Sequence, residues 1–178
     1  MAKITQDLAG IHFGPVVIGF DGTTIAQQAL RESAALLAPR AALVVVVWEA
    51  GRAFELMTLP VQPLESPPVW LDPGTAMEAE HAAHETAERL AEHGAALASE
   101  LGYQAEGLAV ADELTVADTL LCVAADRDSQ ALVVGSHGRR GLTAALLGST
   151  SRGVVDKATC PVVVVRADSV VRFGGPGV

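Results

Sequence analysis

Four stretches of the chain are unbroken runs of mostly branched apolar residues: VVIGF at 16–20, LVVVVW at 43–48, ALVVG at 131–135 and PVVVV at 161–165. Runs without polar alternation predict strands buried on both faces, as in a parallel sheet. YQAEGLAV at 103–110 is a fifth, weaker strand candidate. Between these runs the apolar positions, many of them Ala, recur at helical spacing over 24–38, 76–101, 114–125 and 149–157. Strand and helix therefore alternate. This predicts an α/β fold, a Rossmann-like open sheet of five parallel strands in the order 3-2-1-4-5 with helices on both faces.

The rhythm breaks at 51–74, where GRAFELMTLPVQPLESPPVWLDPG carries five prolines and no period. Such a segment reads as a surface excursion, either a lid over a site or a variable loop with no role of its own. A chain of 178 residues fits one ordinary domain. The expected organisation is an N-terminal extension at 1–15, the domain at 16–166 with 51–74 as a Pro-rich insertion, and a flexible tail at 167–178.

Composition narrows the function classes. Half of the residues are hydrophobic, yet charges interrupt them before any run reaches the roughly 18 residues of a membrane span, so a soluble protein with no membrane partner is expected. The start, MAKITQDLAGIHFGP, lacks the basic residues followed by an apolar block of a secretory signal, which points to the cytoplasm. The net charge of −9 argues against a nucleic-acid partner, because phosphate backbones need a basic stripe. Cys122 and Cys160 read as buried free thiols. His81, His84 and His93 share a helical segment with Glu78, Glu80, Glu85 and Glu88. The spacing could set two imidazoles on one face for a metal, but without HExxH or a nearby cysteine an exposed polar face is the better reading and no metal site is expected.

The chemistry concentrates in VVGSHGRRGLTAALLGSTSRG, residues 133–153, which follows the fourth strand and opens a helix. Open α/β sheets bind ligands beyond the carboxyl ends of their strands, where the strand order reverses. With the order 3-2-1-4-5, the loop FDGTT after strand one faces GSHGRRG after strand four, and Asp21 lies opposite the glycines. Gly135 and Gly138 are expected to turn the chain with positive φ and to bring N–H groups close to a ligand. Gly148 allows close approach at the next helix start, where Ser149 can cap and the following N–H groups and hydroxyls can face an anion. This is a phosphate cradle. Asp21 could bond ribose hydroxyls or help to hold a divalent ion between phosphates, so the implied ligand is a nucleotide.

Better-known motifs fail. No lysine follows these glycines as a Walker loop requires, GFDG after strand one is not G-x-G-x-x-G, and GSHG is too short for the G-x-S-x-G nucleophile elbow. Without a ligand, the same residues read as glycine-rich turns and a capped helix.

The spacing of Gly135, Gly138, Gly148 and Ser149 resembles the ATP-binding signature of the universal stress protein family, G-x2-G-x9-G-[ST]. IGFDGT after strand one and KATCPVVVV as the closing strand extend the resemblance from Val16 to Arg166. The resemblance implies a nucleotide site formed by Asp21, the Gly19 backbone and Val47 against the adenine. Val134, Gly135, His137 and Gly138 would surround the ribose and first phosphates, and Gly148, Ser149, Thr150 and Ser151 the outer phosphates. It further implies ATP, with ADP or AMP as alternatives and Mg2+ held mainly by the phosphates, and a homodimer through the edge strand at 162–165. An apolar edge strand that opens with a proline is an interaction hypothesis in its own right. Arg139 and Arg140, just past the cradle, read as solvated. Two departures stand out: LAVADELTVADTL lacks the glycine and proline common after the third strand, and Val46 stands where a histidine is common.

With nucleotide-holding groups but no evident general base, outer-phosphate lysine or metal cage, fast phosphoryl transfer lacks support. The expected function is an ATP-binding stress-response or signalling module with slow ATP hydrolysis at most. The alternative is a nucleotide-independent dimeric interaction protein. A hydrolase built on Ser136 and His137 is least supported, because adjacent residues on a turn seldom align as nucleophile and base.

Overall fold

A computed structural model of the chain describes residues 13–51, 73–112, 114–136 and 148–166. Its elements alternate as β1 (Val16–Gly19), α1 (Thr24–Leu37), β2 (Ala41–Trp48), α2 (Pro73–Glu100), β3 (Gln104–Ala111), α3 (Val116–Asp126), β4 (Ala131–Gly135), α4 (Ser149–Lys157) and β5 (Val162–Val165). The five strands form one parallel sheet in the order β3-β2-β1-β4-β5. The strand order expected from the alternation is therefore the one observed.

Strand periodicity divides the core into two layers. Val16, Ile18, Val44, Val46 and Val133 pack with Ala26, Ala29 and Leu30 of α1 and Ala87 and Ala91 of α2. Val17, Leu43, Val45, Leu132 and Val134 pack with Ala117, Leu120 and Ala124 of α3 and Val154 of α4. Successive residues of a strand point to opposite faces, so an uninterrupted valine run serves both layers. Helix α1 buries Ala26, Ala29, Leu30, Ser33 and Ala34, the i, i+3, i+4, i+7, i+8 stripe of one helical face. Small residues bring α2 close to the sheet: a Cβ on Gly107 of β3 would lie 2.6 Å from the Ala91 carbonyl carbon.

Helix α2 begins at Pro73, inside the segment expected to be loop, whereas the expectations for 52–72, 1–12 and 167–178 fall outside the described residues. The reading of two buried thiols is corrected: Cys122 is exposed on α3 and Cys160 is half-buried, both free. Its position on α3 explains the difference, because the helix buries Ala117, Thr119, Leu120 and Ala124. Burial pushes the Cys160 thiol above its ordinary range, away from a reactive thiolate. Among the described residues, no helix is long and apolar enough to cross a membrane.

Candidate functional site

Strands β1 and β4 are neighbours, with Ile18 aligned to Val133, and β2 and β5 flank them. The order reverses between β1 and β4, the point at which open α/β sheets form a ligand crevice beyond the carboxyl ends of their strands. Its apolar wall lies on the α3/α4 face. Gly19 follows Val17 by two residues and shares its face, and a Cβ there would meet Leu120 Cδ1 at 3.0 Å and Val134 Cγ1 at 3.5 Å. Val134 is buried in that layer, and Val47 packs against it, half-buried, at the end of β2. Gly19, Val47 and Val134 therefore share one face. Val46 faces the other layer, with α1 and α2, so the missing histidine does not alter this wall.

The two helices that start on either side of the crevice are finished differently. After β1, Asp21 Oδ1 accepts from the Thr23 amide at 3.0 Å and from Thr23 Oγ1 at 2.6 Å. Thr23 Oγ1 in turn accepts from Ala26 N at 3.2 Å and caps α1. Gly22 supplies the positive φ of this turn, +78°. The start of α1 is thus closed by its own side chains. After β4, the N-cap of α4 is Gly148, which has no side chain to offer. Its carbonyl accepts the first intrahelical bond, from Arg152 N at 3.0 Å, so the amides of Ser149, Thr150 and Ser151 have no partner within the helix. Helix α3 has a threonine cap like α1, Thr115 accepting from Asp118 N at 3.1 Å.

Several expected roles change in the structure. Ser149 is the exposed first residue of α4, and Gly148 takes the capping position. Gly135 is the extended last residue of β4, and positive φ occurs instead at Gly22, Gly51 and Gly102 among the described glycines. Thr150 is half-buried, while Ser151 is 1% exposed. The Ser151 hydroxyl points inward, donating to the carbonyls of Ser136 and Gly148, each at 3.1 Å. His137, Gly138, Arg139 and Arg140 lie outside the described residues. Asp21, Gly19, Val47, Val134, Gly135, Gly148, Ser149, Thr150 and Ser151 are gathered at the strand ends and helix starts around β1 and β4.

Two residues were not singled out as ligand-site residues by sequence. Thr23 follows an Asp-Gly turn and precedes a helix, which is a legible cap signature. Ser136 carries no such signal; its amide donates to the Val165 carbonyl at 2.7 Å and its carbonyl accepts from Gly148 N at 2.7 Å. The helix histidines are confirmed as a surface feature. His81 pairs with Glu85 at 3.2 Å and His84 with Glu88 at 3.6 Å, all exposed at least in part. His84 also packs against Trp48, the ring centroids 5.3 Å apart and the planes tilted by 42°. No group of three or more His, Cys, Asp or Glu among the described residues could hold a metal ion.

The fold and the crevice define the class: a parallel α/β sheet covered on both faces, with an uncapped helix start at its switch point. The chain belongs to the universal stress protein family, whose description matches residues 12–166. A universal stress protein of Mycolicibacterium smegmatis is 58% identical over 40 residues, a stretch covering 22% of this chain and 14% of that relative. Among solved structures, hypothetical protein MJ0577 is similar with a TM-score of 0.68 at 19% identity, covering 89% of this chain and 99% of that one. The universal stress protein of Archaeoglobus fulgidus in complex with dAMP has a TM-score of 0.54 at 19% identity, with 86% and 98% covered. Other similar structures are complexes with cAMP or AMP.

Proposed function

We propose that the crevice binds an adenine nucleotide, ATP with Mg2+ held mainly by the phosphates, and that nucleotide occupancy sets the state of a cytoplasmic stress-response or signalling module. ADP and AMP are the alternative ligands. The observation that carries the reading is the contrast between the helix starts: Asp21 and Thr23 close α1, while Gly148 leaves the first amides of α4 to an outside acceptor. Such amides, at the positive end of the helix dipole, suit phosphate oxygens. The flat apolar wall of Gly19, Val47 and Val134 suits a base, and the dAMP, cAMP and AMP complexes of similar proteins support the choice of adenine. Gly138 and His137 would complete the cradle from 137–147. The described residues offer positioning groups but no evident base for an attacking water, so any hydrolysis is slow.

The test is calorimetric titration of nucleotide-free protein with ATP and Mg2+. One site per chain is expected. In Gly148→Asp the new carboxylate caps α4, which the backbone at φ −61° and ψ 164° permits, so stability is kept or rises by a few tenths of a kcal/mol. The same carboxylate occupies the amides and repels phosphate, so affinity should fall about a hundredfold or more. Full affinity in Gly148→Asp would place the phosphates elsewhere. No binding by the wild-type protein would leave the nucleotide-independent dimeric interaction protein as the reading.

A further inference from the structure

We infer that the Ser151 hydroxyl is a positioning group, which sets the geometry of the phosphate cradle from inside the fold without itself touching the ligand. The inference rests on the nucleotide reading for its consequence and on the hydrogen-bond pattern for its cause.

Three elements meet at one peptide group. The Ser136 amide, just past β4, donates to Val165 of β5 at 2.7 Å, and the Ser136 carbonyl accepts from Gly148 N at 2.7 Å. The same carbonyl accepts from Ser151 Oγ at 3.1 Å. Ser151 is the third residue of α4, and its hydroxyl also reaches back to the Gly148 carbonyl at 3.1 Å. One proton is thus shared between two carbonyls that border the cradle, in the three-centre pattern frequent at helix ends.

Two consequences follow. The hydroxyl has a single hydrogen, and with that hydrogen given to backbone carbonyls it has none for a phosphate oxygen. Ser136 and Ser151 are both almost fully buried, at 2% and 1% exposure, so the link is shielded from water. Helix α4 is only nine residues long and its N-cap Gly148 makes no side-chain cap bond, so the Ser136 carbonyl is a principal tie between its first turn and β4 among the described residues. A helix start whose amides converge on an anion must be held still before the anion arrives, because ordering it afterwards subtracts from affinity. Ser151 therefore preorganises the open amides of Ser149 and Thr150.

The experiment compares Ser151→Ala and Ser151→Thr with the wild type, first by amide hydrogen exchange in nucleotide-free protein and then by calorimetry with AMP and ATP. In Ser151→Ala the Gly148 amide should exchange about five- to tenfold faster while Val133 in the core strand is unchanged. ATP affinity should fall by a similar factor and AMP affinity by less, because AMP lacks the outer phosphates that this helix start faces, and Ser151→Thr, which keeps the hydroxyl, should restore both exchange and affinity. Unchanged exchange at Gly148 in Ser151→Ala would overturn the inference. So would a loss of ATP affinity much larger than the rise in exchange, because the excess marks a direct phosphate contact. A wild-type protein that binds no nucleotide would overturn the nucleotide reading, and the exchange measurement would still decide whether Ser151 holds the helix start.

Discussion

Tyr103 sits between α2 and β3 with 4% of its surface exposed, and its hydroxyl finds no hydrogen-bond partner among the described residues. Burial pushes its ionisation above the usual value of 10.0, with the neighbouring Ser33 hydroxyl and the Arg40 charge pulling the other way; Ser33 gives its hydrogen to the Leu30 carbonyl at 3.2 Å and so does not satisfy the neutral phenol. An unpartnered buried hydroxyl costs free energy that a phenylalanine of the same shape avoids. Tyr103→Phe should therefore leave urea stability unchanged or raise it by up to about 1 kcal/mol. A clear loss would show that the hydroxyl has a partner after all. At this scale the sequence was a partial guide. Gly148 and Asp21 carry their positions in a spacing and a turn, so their place at the crevice was legible. The inward hydroxyl of Ser151 and the outward thiol of Cys122 were not, because neighbouring elements decide which side of a short helix is covered.

Helices α3 and α4 are tied by one ion pair, Lys157 Nζ to Asp118 Oδ1 at 2.8 Å, and Asp118 Oδ2 also accepts from Thr115 Oγ1 at 2.7 Å. Lys157 and then Thr115 hold the Asp118 carboxyl below its ordinary range, and Asp118 holds Lys157 above its own. The signs set a window. The carboxylate contribution is present above the ordinary carboxylate range and is lost as pH falls through the lowered value. The lysine contribution is present below the ordinary lysine range and is lost as pH rises through the raised one. Asp118→Asn should thus unfold at lower denaturant than the wild type at neutral pH, and the gap should narrow in high salt and as pH falls through the lowered carboxyl value. A gap independent of pH would assign the effect to the cap of α3 alone. Element boundaries were read to within a few residues. The largest discrepancy, the start of α2 at Pro73, had a signal in the DPG of 72–74, since proline is favoured in the first helical position.

The sheet leaves β3 and β5 as its edges. In β5, Val162, Val163 and Val164 are only half-buried, an apolar edge that invites pairing with a second chain. We propose that a homodimer forms along it. Leu132 N bonds the Pro161 carbonyl and Ser136 N bonds the Val165 carbonyl, so the odd-numbered residues face β4 and the polar groups of Val162 and Val164 point outward. Val164→Pro removes an outward N–H without removing a bond to β4, and it should convert a dimer to a folded monomer in sedimentation. A Val164→Pro protein that stays dimeric would move the interface elsewhere, and a monomeric wild type would remove the proposal. The global arrangement was the most legible level. Continuous branched runs suit only strands covered on both faces, and alternation with helices leaves few ways to connect them.

The sequence by itself determined the parallel sheet, its covering helices and the place where the glycine spacing meets the strand ends, because burial repeats with the period of each element and is written along the chain. Tertiary structure alone decided which polar groups are already engaged. The Ser151 hydroxyl turns inward to the Ser136 carbonyl, and the Ser136 amide pairs with Val165 of β5. Hydrogen bonds between residues far apart in sequence depend on where separate elements come to rest, and no one-dimensional period records that.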